Sequence, residues 1–136
     1  MAASLNADTA VAGQGPANIL LVDDNPARLL SYRAILAPLG ENLIEANSGT
    51  EALRRVMEDE FAVILLDVNM PGMDGYETMR AIRARPELRS LPIIALTAKA
   101  MKGDREKCIE AGASDYIAKP VHTDQLLALL RQWLHR

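Results

Sequence analysis

The sequence predicts an α/β fold, a doubly wound five-stranded parallel sheet with helices on both faces. Three observations carry this. Five short runs are apolar at nearly every position rather than at every second one, which marks strands buried on both faces. Each run is followed by a stretch that reads as a helix, in most cases with apolar residues recurring at three- and four-residue steps. The chain has 136 residues, which suits one domain with one hydrophobic core.

Taken in order, residues 1–17 are rich in Ala, Gly and small polar residues and lack the basic start and apolar centre of a signal peptide. They predict a flexible arm or linker ahead of a domain spanning 18–136. NILLV (18–22) is the first strand. PARLLSYRAILAPLG follows, with Asn25 as N-cap, Pro26 at the first helical position and Leu29, Tyr32, Leu36 and Leu39 on one face, ending near Gly40. NLIEA (42–46) is a second, weaker strand, and SGTEALRRVMED carries a capping box of Ser48 with Glu51. FAVILLD (61–67) is the strongest strand, and it stops at an aspartate. NMPGMDG (69–75) is a loop rich in Gly and Pro, and Asp74 with Glu77 makes a capping box for GYETMRAIRAR. PIIALTA (92–98) is the fourth strand, KGDREKCIEAG a helix stopped by Gly112, and SDYIAKP (114–120) the fifth strand. TDQLLALLRQWLHR closes the chain as a helix with Thr123 as its cap and an apolar stripe of Leu126, Leu127, Leu130, Trp133 and Leu134.

Composition narrows the function. The net charge is −3 and about half the residues (49%) are apolar, so no basic patch suggests direct nucleic-acid binding. No apolar run reaches transmembrane length, which predicts no direct membrane contact. The one cysteine, Cys108, cannot form an internal disulfide, and the chain suits a reducing, cytoplasmic compartment. Cys108 reads as a half-buried or surface thiol, with no histidine nearby to activate it. His122 and His135 have no metal-ligand spacing and read as solvated or capping residues. No glycine-rich nucleotide loop is present.

The chemistry gathers at the strand ends. Right-handed crossovers put every strand carboxyl end along one edge, where such sheets bind ligands. Asp23 and Asp24 follow strand one, Asp67 ends strand three, Thr97 ends strand four and Lys119 ends strand five. Three carboxylates this close repel one another, and Lys119 offsets only one of them. A divalent cation is the economical remedy. An all-oxygen donor set, with no thiol or imidazole, points to Mg²⁺ rather than zinc. A carboxylate beside such an ion can attack phosphorus and form an aspartyl-phosphate. Asp67, on the central strand, is the natural acceptor. Lys119, the Thr97 hydroxyl and the Ala98 backbone N–H are placed to meet phosphoryl oxygens.

These residues resemble the receiver domain of two-component response regulators. The resemblance spans about 119 residues, Asn18 to Arg136, and rests on the acidic pair in LLVDDN, the acceptor and loop in LLDVNMPGMDG, the hydroxyl in LTA and the lysine in AKP. It implies a flavodoxin-like (βα)5 sheet with strand order 2-1-3-4-5, as in the family's chemotaxis member. It also implies Asp67 as phosphoacceptor, and Asp24, Asp67 and the Asn69 backbone carbonyl as direct Mg²⁺ ligands, with Asp23 acting mainly through a metal-bound water. Lys119 would pair with the phosphoryl group, Thr97 would be the hydroxyl switch and Tyr116 the aromatic switch. Pro120 matches a proline whose preceding peptide bond is usually cis. The family accepts phosphate from a histidine kinase or histidine phosphotransfer protein and signals to a downstream protein target through the face of its fourth helix, fifth strand and fifth helix. Its own self-phosphorylation and self-dephosphorylation are weak. The segment LTAKAMKGDREKCIEAGASDYIAKPV looks most like receivers of hybrid histidine kinases or single-domain receivers fed by them. Two other readings compete: an aspartyl-phosphate phosphohydrolase, disfavoured because Asn69 stands where its acid would be, and a pseudo-receiver that works without phosphate.

Overall fold

A computed structural model of the chain describes residues 15–70, 72–98 and 102–135. The arm predicted over 1–17 lies outside these, apart from residues 15–17. Five strands alternate with five helices: β1 (Asn18–Val22), α1 (Pro26–Leu36), β2 (Asn42–Ala46), α2 (Gly49–Glu58), β3 (Val63–Asp67), α3 (Gly75–Arg83), β4 (Ile93–Thr97), α4 (Lys102–Ala111), β5 (Asp115–Ala118) and α5 (Thr123–Leu134). All pairings are parallel, and the order across the sheet is 2-1-3-4-5. Among the described residues no helix is long and apolar enough to cross a membrane.

The continuous apolar runs divide by parity, because successive strand side chains point to opposite faces. Ile19, Leu21, Val63, Leu65, Ile94 and Leu96 pack with Leu29, Tyr32 and Leu36 of α1 and Leu126 and Leu130 of α5. Leu20, Val22, Ile64, Leu66, Ile93 and Ala95 pack instead with Val56 of α2, Met79 and Ile82 of α3 and Cys108 of α4. Each face of the sheet has its own core. By the same parity Asp23 and Asp67 fall on the face that α1 and α5 cover.

Element ends differ from the sequence expectations for local reasons. The third strand begins at Val63, not Phe61; its pairing with β1 opens at Ile19 and Val63, just after the Ala62 N–H donates to Asn18 O at 2.8 Å. The fourth strand is 93–97 rather than 92–98, and the fifth 115–118 rather than 114–120. Pro92 has no N–H to donate, and the Ser114 side chain turns to accept the Ile93 amide at 3.0 Å. α1 stops at Leu36, and a 3₁₀ turn over Ala37–Leu39 carries the chain to Gly40 at φ 70°. α3 stops before Pro86, which holds Arg85 extended.

Three side-chain expectations also need correction. Ser48 does cap α2, but the Glu51 carboxylate accepts from the backbone N–H of Asn47, one residue beyond the cap, so the box is displaced. Thr123 is the first helical residue of α5, and the cap is His122, with no side-chain hydrogen bond. Cys108 is neither half-buried nor on the surface; it is fully buried against the α3 layer, and burial raises its thiol pKa. The Asp74–Glu77 box is present with both hydrogen bonds.

Candidate functional site

The strand carboxyl ends bring Asp23, Asp24 and Asp67 together. One carboxylate oxygen from each lies within 4.8 Å of the others. Asp23 and Asp67 are fully buried, whereas the Asp24 side chain is 35% exposed. The acidic pair therefore splits: Asp23 continues the β1 parity inward and Asp24 faces the opening.

Asp23 is fixed at both oxygens. Its Oδ1 accepts the Asn25 backbone N–H at 2.9 Å, and its Oδ2 accepts Arg28 Nε at 2.9 Å. Asp67 is held asymmetrically. Its Oδ1 accepts from Lys119 Nζ at 2.9 Å and from the Asn69 backbone N–H at 3.0 Å. Among the described residues its Oδ2 meets Arg28 Nη2 alone, at 3.5 Å, and is the less engaged oxygen. Lys119 reaches Asp67 from a backbone whose N–H continues the sheet ladder onto Thr97 O at 2.8 Å; the Lys119–Pro120 peptide is cis.

Thr97 is buried at the end of β4, at the parity of the α3/α4 face. The Ala98 N–H donates to Asn69 Oδ1 at 3.0 Å, so it is engaged rather than open. Asn69 thereby ties the end of β3 to the end of β4 through both its backbone and its side chain. Tyr116, on β5, is half-buried, with the Arg105 guanidinium 5.9 Å above its ring.

Two neighbours were not foreseen. Arg28 sits at the third position of α1, whose N-terminus is capped by Asn25 accepting from the Ala27 and Arg28 amides. Its guanidinium contacts all three carboxylates: Asp23, Asp24 at 3.4 Å and Asp67. The hydrogen bond it donates to Asp23 holds it still more firmly protonated than an ordinary arginine. The visible signal was the i, i+4 spacing from Asp24 to Arg28. A cation in a first turn, where the helix dipole favours anions, also needs carboxylates elsewhere.

Tyr32 is the other. Burial first, then the charges of Asp23 and Asp67, raise its hydroxyl pKa well above the ordinary 10.0. The folded protein keeps this proton at pH values where the unfolded chain has released it. The stabilisation is therefore complete below about pH 10 and is lost as pH rises further. Between about pH 9 and about pH 11, urea-unfolding midpoints of Tyr32→Phe should fall less steeply than those of the unmodified protein. Parallel curves would show that Tyr32 does not govern the alkaline limit.

The donor set fits a hard divalent cation. It is oxygen-only, it clusters tightly, and among the described residues three carboxylates face two cationic side chains, Lys119 and Arg28.

Comparison with known proteins agrees with this geometry. The model of the response regulator receiver domain matches residues 19–131. The chain is 40% identical over 118 residues to the sensor protein GacS of Pseudomonas syringae pv. syringae, covering 85% of this chain but only 13% of that protein. It is 32% identical over 119 residues to the polar-differentiation response regulator DivK of Brucella anthropi, covering 88% of this chain and 97% of DivK. Among solved structures it resembles the receiver domain of the sensor histidine kinase PA1611 from Pseudomonas aeruginosa PAO1, which has a magnesium ion coordinated in its active-site cleft. That match has a TM-score of 0.82 and 40% identity over 90% of this chain and all of that one.

Proposed function

The chain belongs to the response regulator receiver family, and from that premise we propose that it accepts a phosphoryl group from a phosphohistidine onto Asp67. It is a regulatory signalling module of two-component systems. The observation that carries the finer reading is the asymmetry at Asp67, with Oδ1 held by Lys119 and the Asn69 amide and Oδ2 engaged more weakly, by Arg28 at 3.5 Å.

In the proposed step Oδ2 attacks phosphorus in line with the donor nitrogen. The phosphorus–nitrogen bond breaks and its electron pair leaves with the imidazole. Lys119 balances charge on an equatorial oxygen. The Ala98 N–H exchanges Asn69 Oδ1 for a phosphoryl oxygen, and the Thr97 hydroxyl donates to another. Asp24, Asp67 and the Asn69 carbonyl would hold Mg²⁺ directly and Asp23 mainly through a bound water, and the ion would supply charge neutralisation. Asn69 carries a neutral amide that cannot serve as a general acid, which argues against a phosphohydrolase.

Recruitment of Thr97 would free space for Tyr116 to turn inward from its half-buried position. That would alter the α4–β5–α5 face offered to a downstream protein, a local charge event biasing a two-state element. The donor would be a histidine kinase or histidine phosphotransfer protein in the cytoplasm. The domain works over 18–136, whether alone or joined to a kinase.

The test is intact-mass spectrometry after incubation with a small phosphodonor and Mg²⁺. The unmodified protein should gain one phosphoryl mass and Asp67→Ala should gain none. No gain in the unmodified protein, or an equal gain in both, overturns the assignment of Asp67.

A further inference from the structure

We propose that Arg28 is a tethered counter-cation that occupies the acidic cleft in the metal-free protein and must withdraw for Mg²⁺ to bind, so that its side chain sets the metal affinity. This rests on the reading of the cleft as a Mg²⁺ site.

The contacts are those of a competitor. The guanidinium reaches Asp23 Oδ2 at 2.9 Å, Asp24 Oδ1 at 3.4 Å and Asp67 Oδ2 at 3.5 Å. These are the same three carboxylates that cluster within 4.8 Å. The Asn25 amide occupies Asp23 Oδ1 and Lys119 occupies Asp67 Oδ1, which leaves the opposite oxygens of both groups to Arg28. A cation entering the cleft meets the guanidinium at each of the three carboxylates.

Charge gives the direction. Three carboxylates with Lys119 and Arg28 leave the cleft with one net negative charge. A divalent ion added to that set would make it net positive, and the guanidinium would then be repelled. With Arg28 withdrawn, the metal, Lys119 and the three carboxylates are neutral together. Withdrawal is sterically open, because the Arg28 side chain is 40% exposed. Its position in the first turn of α1, at the positive end of the helix dipole, gives it no other anchor.

The test is a Mg²⁺ titration of the unmodified protein, Arg28→Ala and Arg28→Gln, followed by the backbone amide shifts of Asn69 and Ala98. Both variants should bind Mg²⁺ about two- to fivefold more tightly, the upper part of the range expected from removing a half-exposed ion pair. Without metal, thermal unfolding of both variants should begin at lower temperature, and saturating Mg²⁺ should narrow that gap. An affinity within twofold of the unmodified protein, or weaker, overturns the competition while leaving the metal site in place. Shifts that ignore Mg²⁺ in all three proteins overturn the metal site itself, and the competition with it.

Discussion

Lys119→Met should slow phosphoryl acceptance from a small donor by about a hundredfold or more, while the fold survives. Methionine keeps most of the stem volume, so the packing beside β5 is retained and the charge is what is lost. In the resting protein Lys119 Nζ, 2.9 Å from Oδ1, is the nearest cation to the buried Asp67 carboxylate among the described residues. In the proposed reaction the same group faces charge that grows on the transferring oxygens. Removing one preorganised donor of this kind costs about 10²–10³ in rate. Stability should fall less than for a fully buried pair, because Lys119 retains 19% exposure and Arg28 stays within 3.5 Å of the other oxygen. A loss of about 1–2 kcal/mol is expected in the absence of metal. Time-resolved intact-mass spectrometry at saturating Mg²⁺ measures the rate, and denaturant unfolding measures the stability. A rate within threefold of the unmodified protein would remove Lys119 from the chemistry.

The same residue shows what the sequence makes legible. Lys119, Asp67 and the acidic pair lie far apart along the chain, yet each closes an apolar run. Alternating strands and right-handed crossovers bring every such closing residue to one edge, so the cluster follows from topology without any measured distance. The order 2-1-3-4-5 does not follow in that way. Apolar runs alone say that strands are buried, not which neighbours they take, and the order came through family resemblance. Arg28 escaped because a charged residue on a helix reads by default as a solvated face. Only the three-dimensional approach of α1 to the ends of β1 and β3 turns it inward. Cys108 escaped for a related reason. The inward face of α4 is made of small residues, Cys108 and Ala111, too little apolar bulk for periodicity to reveal. At α5 the error was one residue: Thr123 stands beside the true cap, and both would produce the same helix.

Gly75→Ala should unfold at a temperature lower by roughly 5–10 °C and should also weaken phosphoryl acceptance, joining stability to the site through one methyl group. Gly75 opens α3, straight after the capping residue Asp74. A Cβ placed there would lie 2.3 Å from Val68 Cα, 2.8 Å from Asp67 O and 2.9 Å from Val68 Cβ. Two of these atoms are backbone, so no rotamer change relieves the clash. Either α3 moves off the sheet or the segment after β3 shifts. Overpacking of this kind costs about 1–3 kcal/mol, which for a domain of this size gives the stated fall in melting temperature. The segment that must give runs through Asn69, whose amide holds Asp67 Oδ1 and whose side chain holds the Ala98 N–H. A shift there misaligns the acceptor with the groups proposed to receive the phosphoryl oxygens. Gly40→Ala separates the two effects. Gly40 sits at φ 70°, and a Cβ added there would meet nothing within 4 Å, so alanine costs about 1 kcal/mol of backbone strain. That turn is at the far end of α1 from the cleft. Gly40→Ala should lower the melting temperature with no change in phosphorylation rate, whereas Gly75→Ala should lower both. Equal rates in the two variants, measured well below their melting temperatures, would show that the β3–α3 loop tolerates displacement and that the acceptor geometry does not depend on it.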